Sequence, residues 1–551
     1  MSSTAIFLGA FALLVLPIAG YVVYQVKLHP LAKHPGPFLA KLTNAYGAYH
    51  ALKEDVHLEM WRCHQKYGDF VRWGPDRVLV NTASGMRDIY TSGKNVVKSR
   101  GYNALVHVVP SVLTIRDKKQ ASTRRRLLAE GLSDAALRSH EPIILTHVDR
   151  LCQVLGPADD VWSEPRNMAH WCSYLAFDIM SEVVFGQKYD LLGSPTHRYI
   201  VPAINGSNIR TTVLGYLPQL VWRRLDKKLF SASIKARNVF LAFMNAMLQA
   251  RFHHAASCSG GDGLDGQRRD VFSALLKPPP PAEKGGEVDS VLNQYRIRSD
   301  SATLAIAATD TVSTALSTTL FYLSRPAHAS ALRLAAAEVR RAFPTRASIR
   351  QGTALTSCTY LRACIDESMR VTAPVGGALF REVGPGGVVV DGQWFPEGVD
   401  VGTGMYSIHR SGRYFERGER WEPERWLVDE AAGEGEERLK AMRGVFHPFS
   451  FGPRACLGKG MALAEILLTV ARLLWEFEIE EVVERRDDGS DVVVGGGDPL
   501  SGPSGRRDPG EYQLYHGGIT SSKSGPMLRF RRRVVAQVEA AEKEGEPVVQ
   551  K

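Results

Sequence analysis

The sequence predicts a mainly α-helical protein with a small β portion, folded as one large domain behind an N-terminal transmembrane helix. Three observations carry that prediction. Residues 121–252 and 299–323 hold long helical patterns, the first interrupted at Pro157, Pro165, Pro195 and Pro218. Residues 70–81, FVRWGPDRVLVN, read as two short strands about a turn at Gly74 and Pro75. Residues 5–24, AIFLGAFALLVLPIAGYVVY, contain no charge.

The charge-free run is twenty residues long, and at the rise of an α-helix that just spans a hydrocarbon core of about 30 Å. Tyr21 and Tyr24 stand where an interfacial aromatic belt is expected, and Lys27, His29 and Lys33 follow, which keeps the C-terminal side cytoplasmic. A cleaved signal peptide is the competing reading. It lacks both the basic leading segment and the small-residue cleavage site. Pro17 is tolerated in a membrane helix. We therefore expect an anchor over residues 1–26 and a Pro-rich linker over 27–40. In LHPLAKHPGP the prolines disfavour helix, so this connector is expected to be extended and stiff. It would set the domain's orientation on the membrane, or serve merely as a hinge.

No boundary divides the 551 residues, and 44% hydrophobic with 23% charged residues is ordinary for a globular core. The catalytic domain is placed at 41–534 and a disordered tail at 535–551. Gly- and Pro-rich stretches near 257–266 and 278–286 bracket a short helix, RDVFSALLK, and read as surface loops. Residues 299–323 could be a second membrane span. Asp310 near the middle would cost about 2.5–3.5 kcal/mol there, so a buried soluble helix is the better reading. Seven scattered cysteines without a C-x-x-C pair suit free thiols in a reducing compartment. The net charge of +10 is concentrated partly at Lys118, Lys119 and Arg124 to Arg126. Nothing interleaves aromatics with these charges, so nucleic acid is not the expected partner. Attraction to an acidic electron-transfer partner or to anionic lipid is expected, and a solvated helix face is the plainer alternative.

The chemistry concentrates at residues 449–458, FSFGPRACLG. Cys456 stands in a frame of Phe449, Gly452, Arg454 and Gly458. A thiolate so framed can be the axial ligand of a haem iron. Glycines allow close backbone approach and leave amides free to point at sulfur. Arg454 offers a rigid fork for a propionate, and Phe449 would keep water from the ligand. A buried free cysteine in a Gly-rich turn is the competing reading.

These residues match every fixed position of Phe-x-x-Gly-x-Arg-x-Cys-x-Gly, and the chain resembles the cytochrome P450 family. Further motifs occur in the family's order. Ala307 to Thr311, AATDT, resembles its oxygen-activation motif. The resemblance implies Thr311 as relay alcohol and Asp310 as proton conduit, with Ala308 where the family usually has glycine. Glu367 and Arg370 in YLRACIDESMR lie three apart on one helix face and can pair. The resemblance joins them to Arg425 in a buried structural network. It also places Arg381 at a haem propionate. The family's aromatic or histidine four residues before Arg126 is absent, since Ser122 stands there. Residues 102–113, 375–379 and 517–520 match pocket-lining segments by position and are mostly apolar, which suits a lipophilic small molecule.

The cytochrome P450 fold, haem b held by Cys456, and a haem-thiolate monooxygenase are thus implied. Electrons would come from an NADPH-dependent flavoprotein reductase, since no flavin or nicotinamide motif is evident. The linker wording resembles filamentous-fungal microsomal members, implying an endoplasmic reticulum membrane location and tailoring of a polyketide, terpenoid or alkaloid. Rival readings are aromatic-acid hydroxylation, an O₂-independent isomerase or dehydratase, and a non-enzymatic haem carrier or sensor.

Overall fold

In the computed structural model the described residues are 13, 15–91, 93–157, 161–257, 270–276, 290–427, 435–486 and 488–533. Residues 1–12 and 14 of the expected anchor lie outside them, as do the expected tail and most of both low-complexity loops. Residues 15–23 are helical and continue into a wider π-turn, Tyr24–Leu28. Among the described residues no helix is long and apolar enough to cross a membrane.

The linker differs from its expectation. His29 and the residues around Pro35 to Pro37 are extended, but turns at Ala32→His29 and His34→Leu31 fold the segment between them, and helix resumes at Phe38–Leu42. The prolines forbid helix only locally, and tertiary contacts decide the rest. Arg72 supplies them. Its guanidinium donates to the Gln25 carbonyl at 2.6 Å and side chain at 2.5 Å, and its backbone N–H to the Pro35 carbonyl at 2.7 Å.

Along the chain follow α1 (Val56–Tyr67), β1 (Phe70–Gly74), β2 (Arg77–Val80), α2 (Ala83–Tyr90) and β3 (Val96–Lys98). The helical part holds α3 (Lys118–Glu130), α4 (Asp134–Leu155), α5 (Met168–Phe185), α6 (Ile200–Tyr216), α7 (Ser231–Ser257), α8 (Ser290–Ser324), α9 (Ala329–Ala342) and α10 (Thr359–Val371). Strands β4 (Arg381–Val383) and β5 (Asp400–Gly402) precede α11 (Lys459–Glu476), then β6 (Phe477–Glu481), β7 (Tyr515–His516), β8 (Ser521–Ser522) and β9 (Met527–Arg532).

The expected strands about Gly74 form β1 and β2, paired antiparallel with Phe70 opposite Val80. They belong to a five-stranded sheet ordered β1-β2-β5-β4-β3, in which only β2 and β5 run parallel. That order brings residues far apart in the chain side by side, such as Lys98 and Arg381. β9 pairs with β6 and with the short strand Arg166–Asn167.

The main core lies among α4, α5, α8, α9, α10 and α11. Helix α8 starts nine residues before the apolar stretch at 299, because its polar first turns still favour helix with Val291 and Tyr295 exposed. Several of its buried hydroxyls bond within the helix: Thr314 donates to the Asp310 carbonyl at 2.7 Å, and Thr319 to that of Ala315 at 2.8 Å, whereas those of Ser301, Thr309 and Thr318 have no partner among the described residues. Small side chains let neighbouring helices approach closely, and internal bonds satisfy much of their polarity. That explains a soluble buried helix where hydropathy alone suggested a span.

Candidate active site

Cys456 sits in the loop that ends at α11. The loop closes on itself through Cys456 N–H donating to the Phe449 carbonyl at 2.9 Å and Ala455 N–H to that of Gly452 at 3.0 Å. Gly452 has φ +75°, and a Cβ there would stand 2.0 Å from the Tyr90 carbonyl oxygen. The end of α2 therefore packs directly on this glycine. Gly458 has an ordinary φ of −85° and caps α11; a Cβ there would lie 4.0 Å from the Cys456 sulfur. Its role is the approach to sulfur, not a special dihedral. The Cys456 thiol is ringed by protein yet accessible. Burial pushes it up, and the Gly458 amide, Arg125 and Lys459 pull it back toward thiolate.

Beside the loop four cations converge from four segments: Lys98 at the end of β3, Arg125 on α3, Arg381 on β4 and Arg454. Their partners are backbone carbonyls. Lys98 donates to Leu113, Arg125 to Ala455 at 2.5 Å, Arg454 to Ile115 at 2.5 Å, and Arg381 to Leu379 at 2.9 Å. Among the described residues no carboxylate pairs with any of the four. Burial, then Arg381 and Arg125, push Arg454 down to about 10, and the same surroundings depress Lys98 strongly. Buried cations without counter-charge are costly. The two propionates of a haem would supply that charge next to a thiol ligand, so these residues fit the group.

Arg381 and Arg454 were legible in the sequence; Lys98 and Arg125 were not. The structure turns Arg125 toward the Cys456 loop and leaves Arg126 exposed, which corrects the register read from Ser122. The residue four before Arg125 is Ala121, so the family's aromatic or histidine is missing in this register too. The basic run is also less free than its charge suggested. Arg124 is bound to the buried Asp300 at 2.5 Å, and Asp300 in turn accepts from Val112 N–H at 2.6 Å. That clamp ties residues 102–113 to α8.

On α8, Ala308 packs against the same apolar cluster as Leu457, the neighbour of Cys456. Thr311 is half-buried and donates to the Ala307 carbonyl at 2.8 Å. Asp310 is buried and points elsewhere: its carboxylate accepts from Ser521 N–H at 3.2 Å and lies 3.3 Å from the Lys523 ammonium. Segments 375–379 and 517–520 meet, since a Cβ on Gly377 would lie 3.3 Å from the Gly518 carbonyl.

Glu367 is fully buried on α10. Its carboxylate accepts from Arg370 Nε and Nη2 at 2.8 Å, Arg425 Nε at 2.9 Å, Glu422 N–H at 2.9 Å and Trp426 Nε1 at 2.9 Å. Arg370 also donates to the carbonyls of His409, Gly418 and Arg420. The three expected charges are thus one network, joined by a tryptophan and three carbonyls that spacing could not reveal.

Comparison with known proteins agrees with this geometry. Residues 34–494 match the family described as Cytochrome P450. A cytochrome P450 monooxygenase of Alternaria alternata is 41% identical over 94% of this chain and 95% of its own length. One from Penicillium oxalicum is 40% identical over 94% and 93%, and one from Emericella nidulans 38% over 97% and 98%. The chain belongs to the cytochrome P450 family. It is a monooxygenase, an oxidoreductase that carries haem through an axial cysteine and takes electrons from a redox partner to act on a small molecule.

Proposed function

We propose that Cys456 is the axial thiolate of haem b and that this enzyme inserts one atom of O₂ into a lipophilic fungal secondary metabolite. The observation that carries the assignment is the accessible Cys456 thiol beside four cations, Lys98 and Arg381 buried and Arg125 and Arg454 half-buried, without a carboxylate partner among the described residues. The haem, when bound, supplies O₂ activation for attack on a C–H or C=C bond. Lys98, Arg125, Arg381 and Arg454 hold its propionates. Gly458 N–H and the nearby cations lower the basicity of sulfur, and the Phe449 carbonyl fixes the loop. Thr311 serves as the relay alcohol through its hydroxyl, and Asp310, held on another face of α8 by Ser521 and Lys523, as the proton conduit behind it. Electrons arrive from an NADPH-dependent flavoprotein reductase. With this acid and alcohol in place, the O₂-independent isomerase reading is the weaker one.

An anchored endoplasmic-reticulum location fits the exposed apolar surface near the N-terminal helix. Phe38 and Leu39 are exposed, and Trp222 is 68% exposed beside Val221, Leu229 and the basic Arg223, Arg224, Lys227 and Lys228. Apolar side chains rimmed by cations suit an anionic lipid surface.

The test is spectroscopic. Reduced, CO-treated protein should show the absorbance band of thiolate-bound haem, and Cys456→Ser should lose it. Retention of the band in that variant overturns the ligand assignment. With reductase, NADPH and ¹⁸O₂, a compound that shifts the haem spin state should gain one labelled oxygen; product formed without O₂ overturns the monooxygenase chemistry.

A further inference from the structure

A polar cleft opens between the β7–β8 hairpin, α6 and the residues that lead into α1. Glu54, Asn205, Asn208, Thr212, Thr520 and Ser521 line it. Its side chains offer a surplus of hydrogen-bond acceptors. Asn208 Nδ2 donates to the Ile204 carbonyl at 3.0 Å, and the Thr212 hydroxyl donates to the Asn208 carbonyl at 3.0 Å. What these two side chains retain are oxygen lone pairs. The Ser521 hydroxyl is buried, at 4% exposure, and has no partner among the described residues. Glu54 adds a half-buried carboxylate that accepts from the Ser522 hydroxyl at 3.3 Å.

Among the described residues no cation pairs with that carboxylate. The cations that approach are engaged elsewhere: Arg506 donates to the Glu54 backbone carbonyl at 3.0 Å and to Gln513 at 3.2 Å, and Lys523 lies 3.3 Å from the Asp310 carboxylate. Burial pushes the Glu54 carboxyl up, against smaller opposing contributions from Ser522 and Arg506. Glu54 is also held at φ +54°, a left-handed conformation that non-glycine residues rarely adopt and that persists where the surroundings impose it. A carboxylate kept in place at a backbone cost, short of counter-charge and facing other acceptors, suits a cationic donor.

We propose that this cleft binds a protonated amine of the substrate, with Glu54 as the specificity-determining carboxylate. The inference rests on the monooxygenase reading and narrows its substrate to lipophilic molecules that carry a basic nitrogen. An ammonium brings a positive charge and N–H donors but no acceptor, and its bonds to a carboxylate are charge-assisted. The cleft adjoins the segments that resemble pocket walls. Gly517 lines it, and a Cβ on Gly518 would stand 2.7 Å from Thr212 Cγ2, while the Gly518 carbonyl faces Gly377. The nitrogen is thus fixed at the edge of the pocket and the apolar remainder is left to residues 102–113 and 375–379. Oxygen then enters at a carbon remote from nitrogen. A carboxylic acid placed in the cleft would meet the charge of Glu54, which weighs against the aromatic-acid reading.

Full-length holoenzyme is titrated with N,N-dimethyldodecylamine, neutral N,N-dimethyldodecanamide and dodecanoate, each below its micelle-forming concentration. Affinity is read by calorimetry and by the haem spin shift. Wild type should bind the amine about tenfold or more tighter than the amide or the acid. Glu54→Gln leaves the backbone contact of Arg506 in place; it should lose that preference and keep the thiolate-haem CO band. Asn208→Leu removes an acceptor on α6 and should weaken amine binding several-fold without changing that of the amide. With reductase, NADPH and ¹⁸O₂, the amine should gain a labelled hydroxyl on its chain and release little formaldehyde. In Glu54→Gln the formaldehyde share should rise, because the freed nitrogen can approach the iron. Equal affinity of wild type for the three probes, no binding of the amine, or an unchanged preference in Glu54→Gln overturns the proposal. Should Glu54→Gln fail to fold, wild-type amine affinity in Asn208→Leu overturns it instead. Failure of the monooxygenase reading looks different: the amine would still bind by calorimetry, while wild type would consume no O₂ with NADPH.

Discussion

At the scale of single residues, the two glycines that frame Cys456 do different work. Gly452 meets two demands at once: φ is +75°, and a Cβ would stand 2.0 Å from the Tyr90 carbonyl. That oxygen belongs to backbone and cannot move away cheaply. Gly458 meets neither demand, since its φ is −85° and the nearest atom to a Cβ is the Cys456 sulfur at 4.0 Å. Gly452→Ala should therefore abolish the thiolate-haem CO band, while Gly458→Ala should keep folded protein and weaken or shift the band. Equal behaviour of the two variants would refute the distinction. The signature itself was legible because its residues are contiguous and each answers a local need. Lys98 and Arg125 were not. Lys98 comes to the site only through the pairing of β3 with β4, and Arg125 only through the face that α3 turns inward, neither of which a linear pattern states.

At the scale of elements, the α10 network transmits order to the cysteine loop. Glu367 binds Arg370 and Arg425, and Arg370 grips three carbonyls in the segment between β5 and that loop. Removing the carboxylate would leave the fully buried Arg370 guanidinium without counter-charge and Arg425 with Glu422 alone, at 3.0 Å. Glu367→Ala should cost about 3–5 kcal/mol in denaturant unfolding and should loosen haem retention. A loss under about 1 kcal/mol would show that the network relaxes without its centre. The sign of the pH dependence follows from the same contacts. Burial alone would raise the Glu367 carboxyl, but Arg370, Arg425 and the Glu422 amide outweigh it and hold it below the ordinary value. A depressed carboxylate contributes stability that is present above the unfolded-state value, about 4.3, and is lost as pH falls through the folded value. Wild type should lose stability more steeply than Glu367→Gln below about pH 4. Sequence spacing gave away the charges of this network but not Trp426 as a ligand, because an indole after Pro-Glu-Arg has no periodic signature.

At the scale of the whole molecule, the N-terminal helix is bolted to the sheet rather than strung on a free linker. Arg72, fully buried in β1, donates to the Gln25 carbonyl and side chain and to the Pro75 carbonyl at 2.8 Å. Gly36 completes the contact, since a Cβ there would stand 2.3 Å from the Arg72 carbonyl oxygen. Tyr21 adds a hydrogen bond to the Leu42 carbonyl at 2.8 Å. In the membrane-bound state proposed above, a helix fixed in this way would set the tilt of the catalytic domain, and with it the depth at which Trp222 and Leu229 would meet lipid. None of these contacts touches the cysteine loop, so orientation and chemistry should separate by mutation. Arg72→Met strands buried carbonyl oxygens, each worth about 1–3 kcal/mol. Local opening that is easier by about 1.4 kcal/mol exposes the segment about tenfold more often, and cleavage follows the open population when reclosing is fast. Trypsin cleavage at Lys27 and Lys33 should therefore accelerate about tenfold or more in Arg72→Met while the thiolate-haem CO band stays intact. Cleavage at the wild-type rate would mean that the linker is held by its own turns and that Arg72 is incidental to the anchor.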